Sequence, residues 1–222
     1  MKILSLQSQS LDEIITAAAE CLAHGGLLIY PTETTYGIGV DATNQTAVNI
    51  LLKYKKRREG KPLSIAVADR EMAEKYVDLN KAARTVYANF LPGPVTVVSK
   101  GKHTVAFGVE SEDGSLGIRI PAHPLALQIV KAFGKPITAT GANASYKKRP
   151  YCVEDIMKFL SPRQRSFITM VIDAGELPHN EPSTVIDTTL DDIKVLRQGE
   201  ISFTEGNTFT SNNESETQKL GE

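Results

Sequence analysis

Ser10-Leu11-Asp12-Glu13 opens the stretch whose reading decides the fold, SLDEIITAAAECLAHGGLLIYP, residues 10–31. The Ser10 hydroxyl is placed to accept the free amide three residues on, and Glu13 to reach back to the Ser10 amide, which makes a capping box. The run IITAAAECLAH that follows is helical in composition, and Gly25-Gly26 stops it. Leu27 to Tyr30 is then a short apolar run closed by Pro31, the signature of a short buried strand. A capped helix that feeds a buried strand is the repeating unit of an α/β fold.

The same alternation continues outward. A helix is expected from about Thr43 into Tyr54, with Val48, Leu51 and Leu52 on one face, then a strand from Leu63 to Ala68. Asn80 reads as the N-cap of KAARTVYANFL, which Pro92-Gly93-Pro94 stops. Strands are expected at Val95–Ser99, Leu116–Ile120, Ile137–Thr140, Met170–Asp173, Thr184–Asp187 and Ile193–Leu196, and helices at Pro124–Phe133 and Val153–Leu160. Early alternation followed by crowded strands predicts an α/β domain with an open twisted mixed β-sheet and packed helices. That domain is expected over 1–203. From about Thr204 the polar TEGNTFTSNNESETQKLGE buries too little apolar surface to offset its ordering entropy and is expected to be a disordered tail, 204–222.

The totals bound the function. The 222 residues suit one large domain or a domain plus a tail. Hydrophobic residues make up 41% and charged residues 23%, enough for a core. The net charge of −1 supplies no global field towards nucleic acid or membrane, so any basic function is local. Cys21 falls in an apolar helical stretch and Cys152 at a loop or helix start. Neither has a metal-ligand spacing, and two scattered thiols point to a reducing compartment. The N-terminus carries no long apolar run of the secretory kind, and no run is long enough to span a bilayer, so the expected location is the cytoplasm, with no membrane partner.

Six segments are candidates for chemistry. Pro31-Thr32-Glu33-Thr34-Thr35-Tyr36-Gly37 follows a buried strand, where α/β proteins place ligands; it reads as a hydroxyl-rich binding turn or merely a hydrogen-bonded one. In Lys53 to Lys61 six of nine residues are basic, suiting triphosphate oxygens or else a solvated charge run. Arg119, inside the apolar strand of Ser115-Leu116-Gly117-Ile118-Arg119-Ile120-Pro121, needs an anion or a structural salt bridge. Thr138 to Ser145, Pro182-Ser183-Thr184 and Arg197-Gln198-Gly199 are weaker singly.

In order, PTETTYG, the KKR of 55–57 with Lys61-Pro62-Leu63, PGPVT, GIRIPAHP, TATGAN, PSTVID and LRQG resemble the YrdC/Sua5 family of threonylcarbamoyl-AMP synthases over roughly Leu11 to Phe203. The resemblance implies a YrdC-like fold with a basic concave surface, and a nucleotidyltransferase. Such an enzyme makes threonylcarbamoyl-AMP and pyrophosphate from L-threonine, bicarbonate and ATP for the t6A modification of tRNA position 37. It implies Thr34, Arg119 and Ser183 at the threonine, and Lys55 and Arg57 as catalytic. Arg57, Lys61, Ser115, Gly141, Asn143 and Arg197 fall at the ATP. Mg²⁺ is expected on the phosphates rather than on protein side chains. A downstream threonylcarbamoyl transferase machinery and a contact with tRNA or double-stranded RNA complete the partners. There are departures: Gly141 stands for a serine, Ala66 for a histidine and Tyr146 for a glycine. The competing readings are a related carbamoyl-adenylate-forming enzyme and an RNA-binding module built on the basic runs.

Overall fold

The computed structural model describes residues 1–56, 62–143, 148–190, 192–204 and 208–210. Its elements are β1 (Lys2–Ser5), α1 (Leu11–Ala23), β2 (Leu28–Pro31), β3 (Tyr36–Gly39), α2 (Gln45–Lys55), β4 (Ser64–Ala66), α3 (Arg70–Ala73), β5 (Val77–Asp78), α4 (Lys81–Phe90) and β6 (Val95–Gly101). There follow β7 (Ser115–Arg119), α5 (Pro124–Phe133), β8 (Ile137–Gly141), α6 (Val153–Lys158), α7 (Pro162–Ser166), β9 (Met170–Asp173), β10 (Thr184–Asp187), β11 (Lys194–Arg197), β12 (Ser202–Thr204) and β13 (Thr208–Thr210).

Local chemistry sets the helix ends. The Ser10 hydroxyl accepts from the Glu13 amide at 3.3 Å and the Glu13 carboxylate from the Ser10 amide at 3.1 Å, so the capping box is formed. Asn80 accepts from the Ala83 amide at 2.8 Å to start α4. Its amide nitrogen also donates to the Thr188 and Leu190 carbonyls at 2.8 and 2.9 Å, so one cap also pins α4 to the end of β10. Every strand and helix read from the sequence is present. The reading missed β1, β3, β5, β12 and the short α3 and α7. In β3, Tyr36–Gly39 carries two glycines, which weaken a strand pattern, and it pairs with its hairpin neighbour β2 on one side and the distant β8 on the other. β2 ends at Pro31, which is itself its last residue and pairs with Tyr36. β12 and β13 form a separate two-stranded ribbon, and β13 falls within the span expected as a polar tail.

The main sheet has the order β1-β9-β2-β3-β8-β4-β7-β6-β10-β11, with β5 also on β6. Its β1–β9, β9–β2, β4–β7 and β6–β10 pairs are parallel and the others antiparallel, the expected mixed, unclosed sheet.

Paired residues share a face. One face carries Ile29, Ile38, Ile65, Val97, Ile118 and Ile186, all fully buried beneath α2, α4 and α6. The other is covered only in part. Over β1, β9 and β2, helices α1 and α5 bring Ile14, Leu22, Leu125 and Ile129 onto Leu28, Tyr30 and Met170, and this cover reaches as far as Ala66 and Ile137. Beyond that limit Ser64, Ala139, Val98 and Val185 are only half-buried. Gly117 keeps this open floor flat, because a side chain there would start 2.7 Å from the Ser64 hydroxyl.

Candidate active site

The turn between β2 and β3 is built by its threonines. The Thr32 hydroxyl donates to the Thr35 carbonyl at 2.6 Å and accepts from the Thr34 and Thr35 amides at 3.2 Å each. The Thr35 hydroxyl and the Tyr36 amide both donate to the Pro150 carbonyl, at 2.5 and 3.1 Å. This over-tied turn projects Thr34 and Glu33 at the edge of the open face.

A cleft of about 340 Å³, including its open mouth, lies where the helical cover stops. Thr32, Thr34 and Thr35 form one wall, Ala66, Arg119 and Pro121 the second, and Ala139 to Gly141 the third. The sequence expectations for Thr34, Arg119 and Gly141 therefore meet in one place. The question posed by Arg119 also has an answer. Its guanidinium donates to the Glu33 carboxylate at 2.5 Å, with both side chains about 15% exposed. The other Glu33 oxygen accepts from the His123 amide at 3.4 Å, at the start of α5. Burial pulls His123 below the ordinary histidine range, the Glu33 charge opposing it, and among the described residues its Nδ1 has no partner.

Lys55 ends α2 and is almost fully buried. Its ammonium donates to the Gly141 and Asn143 carbonyls at 2.7 Å each, while the Tyr54 hydroxyl donates to the Ala142 carbonyl at 2.7 Å. The last turn of α2 thus holds the chain leaving β8. At Gly141 a side chain would begin 2.9 Å from the Asn143 amide oxygen, so a residue larger than glycine there requires the Asn143 side chain to shift. Arg57 and Lys61 lie outside the described residues.

Ser183 and Arg197 pair at the far side of the open face. Arg197 donates to the Ser183 carbonyl at 2.8 Å and to its hydroxyl at 3.1 Å, and the Ser183 hydroxyl is 3.1 Å from that of Thr96. Partial burial lowers the Arg197 pKa, and the Arg119 and Arg149 charges lower it further. The charges of Arg119 and Arg149 thus reach Arg197, while those two are themselves paired with Glu33 and Glu181. Ser115 shares the open face but stands four residues along β7 from Arg119, roughly 13 Å at strand rise. Its hydroxyl is 2.8 Å from that of Ser111, in a turn where both serines hold Asp113 below the usual carboxylate range. It does not line the cleft.

Glu33, Arg149 and Asn180 escaped the sequence reading as site residues. Glu33 lay inside a quoted segment, but the partners of Glu33 and Arg149 are 86 and 32 residues away, and no local pattern reports that.

Residues 20–199 match the Sua5/YciO/YrdC family model, described as telomere recombination. The chain belongs to this family. The family resemblance drawn from the ordered motifs is therefore confirmed. The chain is 33% identical over 201 residues to a putative threonylcarbamoyl-AMP synthase of Methanocaldococcus jannaschii, covering 90% of this chain and 93% of that protein. It is 30% identical to the threonylcarbamoyl-AMP synthase of Pyrococcus abyssi over 91% of this chain and 59% of that one. Among solved structures, P. abyssi Sua5 complexed with L-threonine superposes with a TM-score of 0.82 at 30% identity, over 90% of this chain and 58% of that one. E. coli YciO, at 24% identity and a TM-score of 0.76, shares the fold. Among the described residues no helix is long and apolar enough to cross a membrane.

Proposed function

We propose that this chain is an L-threonylcarbamoyladenylate synthase, a nucleotidyltransferase that serves the t6A modification of tRNA. The observation that carries the proposal is the cleft itself. Thr34 and Arg119 face each other across a pocket in the fold of a relative solved with L-threonine, and relatives 30–35% identical bear the synthase name.

The chemistry needs no covalent intermediate. The neutral threonine amine adds to bicarbonate with loss of water, giving the carbamate. A carbamate oxygen then attacks the α-phosphorus of ATP as the bond to pyrophosphate breaks. Catalysis rests on positioning and charge stabilisation. Arg119 holds the amino-acid carboxylate in place of Glu33, and the Thr34 hydroxyl bonds the substrate beside it. Lys55 fixes the Gly141–Asn143 backbone and brings a positive charge to the cleft edge. Arg57 and Lys61 neutralise the triphosphate, with Mg²⁺ riding on its oxygens. Ser183, expected from the sequence at the threonine, is held by Arg197, and in this reading the pair frames the nucleotide. The adenylate passes to a threonylcarbamoyl-transferring machinery in the cytoplasm, and the enzyme contacts tRNA or double-stranded RNA.

Purified protein given ATP, bicarbonate and L-threonine is expected to release pyrophosphate only when threonine is present. Release without threonine, or no release, refutes the proposal.

A further inference from the structure

The Glu33–Arg119 end of the cleft and the Ser183–Arg197 pair across the open face, read above as the amino-acid and nucleotide sides, are joined by one short strap, residues 180–183, between β9 and β10. At its first residue the Asn180 side chain donates to the Glu33 backbone carbonyl at 2.8 Å. The Asn180 carbonyl accepts from Arg149 at 3.0 Å and from the Tyr151 hydroxyl at 3.3 Å. The next residue, Glu181, pairs with the same Arg149 at 3.2 Å. At the end of the strap, Ser183 is held by Arg197. The Arg149 charge in turn acts on Arg197.

Glu33 links the strap to the cleft. Its carboxylate occupies Arg119, the group that an α-carboxylate must claim in the functional reading above, on which this inference rests. A ligand carboxylate on Arg119 displaces that of Glu33, and the Glu33 peptide is what Asn180 grips.

We propose that Asn180 is a positioning residue that couples the two halves of the cleft, so that the amino acid and the nucleotide each tighten the binding of the other. The sign follows from ordering. The first ligand to bind fixes the turn and the strap together, and the second meets a strap already fixed and loses less conformational freedom. Asn180 touches neither ligand. Its substitution therefore changes the coupling and leaves each ligand's affinity alone nearly intact. Coupling is reciprocal, so the factor read from either ligand is the same.

The test is calorimetric titration of the full chain with L-threonine and with α,β-methylene-ATP, each alone and then in the presence of the other. The wild type is expected to show a factor of roughly fivefold or more, within the usual range of site-to-site coupling. Asn180→Asp keeps the shape but loses the donor to Glu33. It is expected to bring the factor to within about twofold of one, with single-ligand affinities and thermal melt close to wild type; Asn180→Ala serves if the aspartate variant does not fold. A wild-type factor of one overturns the proposal, as does a variant that keeps the full factor. Loss of threonine binding by the wild type itself has a different signature: it refutes the functional reading, and the coupling with it.

Discussion

Two halves of one sheet face carry opposite chemistry. Over β1, β9 and β2 the face is apolar, and α1 and α5 seal it with Ile14, Leu22, Leu125 and Ile129. Beyond Ala66, over the rest of β4 and over β7, β6 and β10, the same face is laid with Ser64, Gly117, Val98 and Val185 and, among the described residues, has no helix upon it, with Arg119 at the boundary. The sheet is continuous across both halves, and its register shift lies away from the boundary, at Val185 and Ile186 between β10 and β11. The difference lies in whether a helix crosses back over that face. The site forms at the limit of the cover, where a rigid floor meets an unsealed edge and a charge can be held half-dry without being buried outright. Low water access strengthens the Arg119–Glu33 attraction, and an open mouth lets a ligand compete for it.

This contrast is open to direct attack, and the open half gives the largest effect. Arg119→Ala removes one partner of a shielded charge pair, a change that costs about 2–5 kcal/mol. Steady-state pyrophosphate release is expected to lose about 100-fold or more in kcat/KM, with Arg119→Lys recovering little because a point charge lacks the planar fork. Near-normal kcat/KM in Arg119→Ala would remove the open half from the mechanism. In the covered half, Ile129→Ala leaves a cavity between α5 and the sheet and is expected to cost about 2–5 kcal/mol in denaturant unfolding. The KM for threonine should be unchanged as long as the variant is folded; a shift comparable to that of the Arg119 variants would show that the halves are not separable.

The smallest effect belongs to the boundary. His123 starts α5 beside Glu33, and its pKa is lowered in the folded state chiefly by burial. A histidine with a depressed folded pKa contributes stability that is complete above its unfolded value, about 6.5, and that fades as pH falls through the folded value. Thermal melts should therefore weaken on acidification below about pH 6.5, and His123→Gln should flatten that part of the profile. An imidazole proton shift that titrates at or above the ordinary range would contradict the assignment.

Particular residues show what was readable in one dimension. The Ser10 and Asn80 caps, Pro124 at the start of α5 and the alternation of apolar runs are local matters. A helix end satisfies its orphan amides within four residues, and a strand displays its buried side every second residue, so these patterns are written within a few positions of the chain. The order of the motifs likewise pointed to the family and, through it, to Thr34, Arg119, Gly141 and Asn143. Proximity in space has no such local record. That Glu33 occupies Arg119, that Lys55 clasps the carbonyls of Gly141 and Asn143, that the Asn143 side chain crowds position 141, and that Asn180 bridges to Arg149 all join residues from separate elements. Short-range rules of sterics and hydrogen bonding chose the elements. Sheet order and the reach of α1 and α5 then chose which charges would meet, because electrostatic and packing energies depend on distance through space and not along the chain.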